Sequence, residues 1–507
     1  MYMTQCLQRT LQQNPEHLAT IFGDRRQTYH QFGERVARLA GALQNLGMAA
    51  GDRVGMLALN SDRYLEYIMG VWWGGGVLNP VNIRWSVAEI VYSLDDCATG
   101  FLIVDEHFAA MAEGIRKTAR QTPRFIYAGD GEVPPGMLGY EQLLAQATPV
   151  EDAGRGGEDL ACIMYTGGTT GFPKGVMQSH LNLWSACMPR MVDMPPIRDG
   201  RLLHVAPLFH VAGMARALIQ FMAGESHVLL SGFDAAEVLQ VIERERITET
   251  LLVPTMILAL LAHPDFDRHD LGSLKRLTYG ASPSAGEMVE QVLARLPDLE
   301  LSHSYGLTEA CPVVSSNLPC NHTPHARRSG LSRSVGRGGL GVNVKIVDPQ
   351  GREVPRGTVG EIIVRGPNIM QGYWNKPEET ARALRDGWLY TGDAAYMDEQ
   401  GYLFIVDRLK DMIVSGGENV YSAEVENVLA RHPAVALAAV IGVPHEQWGE
   451  AVHAVVVRKP GAQVDAEQLR LYCREFIAGY KCPKSVEFRD ELPLSAAGKV
   501  LKRELRS

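Results

Sequence analysis

The sequence predicts an α/β protein of two unequal parts, and three observations carry that expectation. The chain has 507 residues, more than one ordinary hydrophobic core holds, so two or more domains are expected. Up to about residue 400, short apolar strands alternate with amphipathic helices, the pattern of parallel α/β layers. Beyond that point comes a compact alternation about a hundred residues long, enough for a small α/β domain with its own core.

The elements follow in order. Phe32, Val36, Leu39, Ala40, Leu43 and Leu46 form a helical stripe over residues 31–46, which Gly47 ends. Residues 53–59 read as a strand, 66–74 as a helix, and 101–104 and 124–127 as further short strands. Residues 234–247 form another amphipathic helix, followed by a strand at 251–253. In the last part, residues 401–406 are a strand and 407–411 a charged break. A helix over 422–431 capped by Ser422, strands at 435–441 and 450–457, a helix over 465–478 and a strand at 485–488 complete the chain. The boundary is placed at Lys410, giving domains 1–409 and 410–507. Gly336 to Gly341 match G-x-G-x-x-G, but a strand follows at 342–347 where a dinucleotide fingerprint needs a helix, so this is a turn.

Composition narrows the class. Hydrophobic residues at 46% and charged residues at 21% are those of a soluble globular protein, and a net charge of −9 without a basic run argues against nucleic acid. No two of the eight cysteines form C-x-x-C, so they read as small buried hydrophobes of a reducing compartment. The start lacks the basic-then-apolar order of a signal peptide, the apolar run 67–78 is too short to span a bilayer, and the last residues are not a peroxisomal address. A cytoplasmic protein is expected, and a homodimer stays open.

The stretch around which the rest is organised is Tyr165-Thr166-Gly167-Gly168-Thr169-Thr170-Gly171-Phe172-Pro173-Lys174-Gly175. Its glycines let backbone N–H groups turn inward around an anion, its threonines add hydroxyl donors, and Lys174 adds a point charge. It is not the common P-loop, because Lys174 stands between Pro173 and Gly175 instead of preceding Ser or Thr. Alone, it could be an ordinary polar loop. Other stretches keep it company. Ser304-Tyr305-Gly306-Leu307-Thr308-Glu309 offers an aromatic face, a glycine, a hydroxyl and a carboxylate. Gly280-Ala281-Ser282-Pro283 is a small-residue loop able to lie against a ring, and Tyr390-Thr391-Gly392-Asp393 sets a carboxylate after a glycine turn. Arg408, Gly416-Gly417 and the terminal Ser495-Ala496-Ala497-Gly498-Lys499 complete the set.

In this order and spacing the motifs resemble those of the adenylate-forming superfamily: acyl- and aryl-CoA synthetases, peptide-synthetase adenylation domains and beetle luciferases. The resemblance runs from the residue 31 helix to Lys499. It implies a large multi-layered N-terminal α/β domain and a small mobile C-terminal α+β domain. It further implies an ATP-dependent, AMP-forming acid–CoA ligase that uses Mg²⁺ and takes coenzyme A as substrate. Residues Thr166, Gly167, Gly168, Thr169, Thr170, Gly171 and Lys174 would hold the β- and γ-phosphates. Tyr305 would stack on adenine beside Gly280, Ala281, Ser282, Ser304 and Gly306. Thr308 would touch the α-phosphate, and Glu309, with Thr166, would bind the metal. Asp393 and Arg408 would hold the ribose. Lys410 would be the hinge, followed on the thiol side by Ser415, Gly416 and Gly417. Lys499 would bridge the substrate carboxylate and the α-phosphate, and His210 would stand between acyl pocket and thiol tunnel. The chain departs from the family at Gly167, where serine is usual.

For the acyl group, the resemblance implies Trp184, His210, Ala212, Gly213, Gly280 and His303. None is arginine, which disfavours a dicarboxylate. His303 either bonds a phenol or is a satisfied wall residue, the latter being favoured. A medium- or long-chain fatty acid is the leading expectation, with a hydroxycinnamate- or benzoate-like aryl acid as the alternative. Two other readings are a stand-alone adenylation enzyme loading a carrier protein and a nucleotide-binding regulator without turnover.

Overall fold

The computed structural model describes residues 1–166, 173–280, 286–415, 418–446, 448–495 and 500–506. Among them, two large sheets stack with helices between and outside. One has nine strands, with a parallel centre running through Glu300–Gly306, Arg276–Gly280, Glu249–Leu252, Arg201–His204 and Ser226–Leu229. The other has eight, built around Val77–Pro80, Arg53–Leu57 and Thr99–Val104.

The helices Tyr29–Asn45, Asp62–Trp73, His180–Asp193 and Val211–Ala223 lie between the two sheets and share one continuous core, which includes Phe32, Trp72, Leu183 and Phe221. Ala235–Glu245, Pro254–Leu261 and Gly286–Arg295 cover the outer face of the first sheet, and Val87–Asp96 and Met111–Thr118 that of the second. Buried on both sides, the central strands are short and apolar, the expected texture of parallel sheets. A five-stranded sheet containing Trp388–Met397 and Leu403–Arg408 closes the large domain. The small C-terminal domain starts at Ile413–Ser415 and wraps its own sheet with Ser422–Leu429 and Ala466–Phe476 around Ile413, Val425, Val440 and Leu469. No described helix is long and apolar enough to cross a membrane.

The stripe helix starts at Tyr29 because Thr28 and Gln31 form a capping box, one residue pair before the apolar stripe begins. The helix expected at 66–74 starts four residues earlier, at Asp62, because the Ser61 side chain caps it by accepting from Tyr64 N. The strand read at 401–406 runs over Leu403–Arg408, since Asp398 to Gly401 form a turn held by the Asp398 carboxylate. Asp407 and Arg408 therefore belong to a strand, and the break is confined to 409–412.

Ser422 is not a cap. It is the first residue of its helix, Tyr421 holds the N-cap position without a side-chain bond, and the capping carboxylate is Asp407 from the strand Leu403–Arg408 of the large domain. The buried Asp407 carboxylate accepts from Ser422 N, from Ser422 Oγ at 2.6 Å and from Ala423 N at 3.4 Å. An anionic acceptor suits a helix N-terminus, where unpaired N–H groups and the helix dipole meet. Lys502 Nζ donates to Ser422 Oγ at 2.6 Å and pairs with Glu426 at 2.7 Å, so the chain's end clasps the same corner.

Candidate active site

The site is built at the carboxyl ends of the first sheet's parallel strands, where open α/β sheets leave a crevice. The described residues on either side of the glycine-threonine stretch pair as two antiparallel strands. These are Leu160–Thr166 and Lys174–Ser179, and Thr166 faces Lys174 where they end. Gly167, Gly168, Thr169, Thr170 and Gly171 lie outside the described residues, as do Ala281, Ser282, Gly416, Gly417 and Lys499.

Lys174 Nζ stands 4.8 Å from the centre of the Tyr373 ring, a cation–π contact. Tyr373 belongs to the two-residue strand that extends the hairpin's sheet, and its hydroxyl donates to Glu309 Oε1 at 2.8 Å. One tyrosine thus holds the hairpin lysine and the motif carboxylate together. Burial, then the Glu309 charge, raise the Tyr373 pKa, so the hydroxyl stays a donor. The Gln178 amide, from the hairpin, donates to the Thr308 carbonyl at 2.9 Å and fixes the short turn Thr308–Ala310.

Asp393 and Arg408 are direct partners across two antiparallel strands, with Arg408 Nε 3.0 Å from Asp393 Oδ1. The other oxygen, Oδ2, accepts from the Tyr305 hydroxyl at 2.6 Å. Burial, then the Asp393 charge, lift Tyr305 well above the ordinary tyrosine range, while Asp393 raises Arg408. The Arg408 guanidinium also feels Glu309, which joins the two groups electrostatically. Lys174, Glu309, Tyr305, Asp393 and Arg408 are therefore brought together.

Ser304 lies opposite Gly280, where a Cβ would sit 2.3 Å from the Ser304 carbonyl oxygen. At Gly306 a Cβ would come within 1.7 Å of the Pro312 carbonyl oxygen, backbone that cannot step aside. Gly306→Ala is accordingly expected to push the Tyr305–Glu309 segment out of place, lowering stability by about 1–3 kcal/mol as other overpacking changes do. A calorimetric Tm together with the nucleotide KM checks it; an unshifted Tm contradicts the close approach.

The acyl-pocket residues divide. His210 caps the helix Val211–Ala223, its Nδ1 accepting from Ala212 N at 3.4 Å. Trp184 and Ala212 are half-buried; Gly213 is buried, and its missing Cβ faces the Pro207 carbonyl oxygen at 2.2 Å. Beside His210 lies a cavity of about 420 Å³ whose lining includes Asn60, Arg84, Pro207, Phe209, Met256 and Leu494.

His303 needs correction. Strand alternation points it, with Tyr279, away from the face that carries Thr278, Gly280, Ser302 and Ser304. It stacks on Tyr279 at 4.6 Å and shares a backbone hydrogen bond with Ser334, while burial and then His322 lower its pKa to about 4. It is a neutral core residue. Ser415 is a buried ladder residue opposite Gly449 in the small domain, and Lys410 is exposed between the two domains' sheets.

Sequence reasoning missed Tyr373, Arg84, Arg190 and Arg216. Arg84 Nη1 donates to the Leu494 and Ser495 carbonyls at 3.1 and 2.9 Å, joining the large domain to the segment leading to Lys499. Leu494 also forms a bridge with Val500. Arg190 and Arg216 lie on the helices that also carry Trp184 and Ala212, and Arg216 stands one turn from Ala212 on the same face.

The AMP-binding enzyme family matches residues 7–374, and its C-terminal domain matches residues 424–499. The chain belongs to that family, within the adenylate-forming superfamily. A feruloyl-CoA synthase of an Amycolatopsis species is 40% identical over 503 residues, 98% of this chain and 97% of that protein. A medium/long-chain-fatty-acid–CoA ligase of Mycobacterium tuberculosis is 37% identical over 506 residues, 96% of this chain and 86% of that protein. Among solved structures, the anthranilate CoA ligase AuaEII in complex with anthranoyl-AMP superposes with a TM-score of 0.92 at 30% identity, covering 100% of this chain and 96% of that one. Family membership agrees with the two-domain α/β architecture.

Proposed function

We propose that this AMP-binding enzyme is an acid–CoA ligase. Acid and ATP give an acyl-adenylate and pyrophosphate, and coenzyme A then gives the thioester and AMP. The observation that carries this reading is the convergence of Lys174 and Glu309 on Tyr373 beside the Tyr305–Asp393–Arg408 cluster.

In this reading the Thr166–Lys174 hairpin holds the triphosphate, with the backbone and hydroxyls of residues 167–171 and the Lys174 ammonium as donors. Asp393 accepts from the ribose hydroxyls and Arg408 orients it, while Tyr305 covers the adenine against Gly280, Ala281 and Ser282, with Ser304 and Gly306 beside it. Glu309 and Thr166 fit Mg²⁺: a carboxylate and a hydroxyl supply hard oxygen donors, too few for a full cage, as suits a metal that keeps waters and binds phosphate. When bound, it would neutralise charge developing on the phosphates. Thr308 and Lys499 donate at the α-phosphate, and His210 borders the thiol's approach along the Asn60–Phe209 cavity. The domains are 1–409 and 410–507, with the hinge at Lys410 and Ser415, Gly416 and Gly417 presented after it turns. No covalent protein nucleophile is needed.

The substrate is a carboxylic acid whose pocket runs from Gly280 between Trp184 and Ala212. The resemblance in sequence to a feruloyl-CoA synthase, and in structure to an anthranilate CoA ligase, supports an aryl acid over the fatty acid. Release of pyrophosphate and AMP that requires both acid and coenzyme A tests the ligase reading; nucleotide split to ADP contradicts it. Appearance of the free thioester separates it from carrier-protein loading.

Arg84 supplies a further test. Its two hydrogen bonds hold Leu494 and Ser495, a few residues before Lys499, so Arg84→Ala is expected to slow adenylation about tenfold, the worth of a charged hydrogen bond or two. Thioester formation from supplied acyl-adenylate should change less. Equal loss in both half-reactions contradicts a docking role.

A further inference from the structure

Below the site, between the helices His180–Asp193 and Val211–Ala223 and the inner face of the first sheet, lies a buried cationic cluster. Arg190 and Arg216 are each 6% exposed. Arg216 Nη2 pairs with Glu249 Oε2 at 2.8 Å, and Arg190 Nη2 reaches the same oxygen at 4.0 Å and Thr278 Oγ1 at 3.3 Å. Arg190 Nη1 also touches Met194 Sδ. Arg276 takes the other Glu249 oxygen at 3.1 Å and Glu300 at 2.7 Å.

Two features of this cluster are unbalanced. Three guanidiniums meet two carboxylates, and Asp193, which also feels Arg190, stands exposed at the helix end. Second, Nε and Nη1 of Arg216 are buried and have no hydrogen-bond partner among the described residues. A buried charge with idle donors is costly unless something accepts from them. Burial, then the neighbouring Arg216 charge, lower the Arg190 pKa to about 9, a sign of how crowded the positive charge is. Burial penalises the Glu249 carboxylate, yet Arg216 and Arg190 outweigh it and hold its pKa below the ordinary value.

The cluster's position says what the missing acceptor is. Thr278 and Gly280 share the inner face of one strand, two residues apart, which is about 7 Å. Arg216 is one helical turn from Ala212 on the other wall. An acid whose carboxylate reacts at the level of Gly280 would bring its far end to Arg190 and Arg216. We propose that Arg190 and Arg216 form the floor of the acyl pocket and select acids that carry a second oxygen acceptor at the end remote from the reacting carboxylate. That oxygen belongs to a carboxylate or a phenol; the chemistry recognised is the same, an acceptor facing a guanidinium fork. This deepens the ligase reading and rests on it.

Two matched pairs of acids test it in the full-length enzyme: suberate against octanoate, and 4-hydroxycinnamate against cinnamate. Each pair differs only at the far end. The wild type is expected to favour the oxygenated member of at least one pair by about 10- to 100-fold in kcat/KM for pyrophosphate release, the range of one buried charged hydrogen bond. Which pair shows it identifies the source of the oxygen. Arg216→Met leaves Glu249 paired with Arg190 and Arg276, and should collapse that ratio toward one; Arg190→Met is the second variant. A wild type that prefers octanoate and cinnamate, or variants that slow all four acids equally, overturns the inference while leaving the ligase reading standing. Activity with no acid at all strikes the ligase reading instead. In that case calorimetric binding of the same four acids still decides: a preference for the oxygenated members that Arg216→Met removes supports the pocket floor, and equal binding overturns it.

Discussion

Replacing Lys499 by alanine is expected to slow acid-dependent pyrophosphate release about 10²–10³-fold, the loss that follows removal of one preorganised donor to developing charge. Two anions, the acid and the α-phosphate, must be brought together before adenylate can form, and a mobile cation answers that need only if it is delivered accurately. The described residues just before Lys499 are tied to the large domain. Leu494 bridges to Val500, and Arg84 holds the Leu494 and Ser495 carbonyls. The second half-reaction calls for a thiol on the same side, where the lysine no longer helps. Thioester formation from supplied acyl-adenylate should therefore be nearly unchanged in Lys499→Ala. Measuring both half-reactions separately checks this, and a matched fall in each would sink the idea of two alternating faces.

Glu309→Gln should lower adenylation by about 10²-fold and raise the Mg²⁺ concentration needed for half-maximal rate, the size of effect expected when one electrostatic contribution to the transition state is lost. The choice of glutamine matters. Its side-chain oxygen can still accept from the Tyr373 hydroxyl, which donates to Glu309 Oε1 at 2.8 Å in the native chain. The substitution therefore removes charge while keeping the local hydrogen bond, and Tyr373 should stay under Lys174. A Mg²⁺ titration of the initial rate reads the outcome. An unaltered Mg²⁺ requirement would show that Glu309 serves only to anchor Tyr373.

The parts of this molecule written locally were legible in its sequence. The strand at Arg124–Tyr127 and that at Ser485–Phe488 were placed to the residue, the first from a short apolar run and the second from the alternation of Val486 and Phe488 with Ser485 and Glu487. The Asp393–Arg408 pair was expected to act together, and the antiparallel register sets the two opposite each other. What stayed hidden depends on contacts between distant segments. Helix starts at Ser61 and Tyr421 turned on caps, one of them supplied by Asp407 from another domain. His303 entered the expected pocket only through the resemblance, and the register that pairs it with Tyr279 sets it on the opposite face from Ser302 and Ser304. Arg190 and Arg216 carried no signal of their own. On the sequence they are two basic residues on amphipathic helices, and only the stacking of both helices on one sheet face makes them neighbours. Tyr373 was missed for the same reason, since its partners lie 64 residues before it and on a separate hairpin.

The Asp407 clasp has a bearing on how the small domain could ever turn. Lys410 lies between the carboxylate and the helix it grips, so a swivel at that residue is not a free joint. Any rotation there must first prise Asp407 from Ser422 and Ala423 and take the Lys502 anchor with it, or else pivot upstream and drag the end of the Arg408 strand along. If the small domain does swivel at Lys410 as proposed, the movement would be a detent rather than a drift, its tempo set by one carboxylate letting go of the helix it holds.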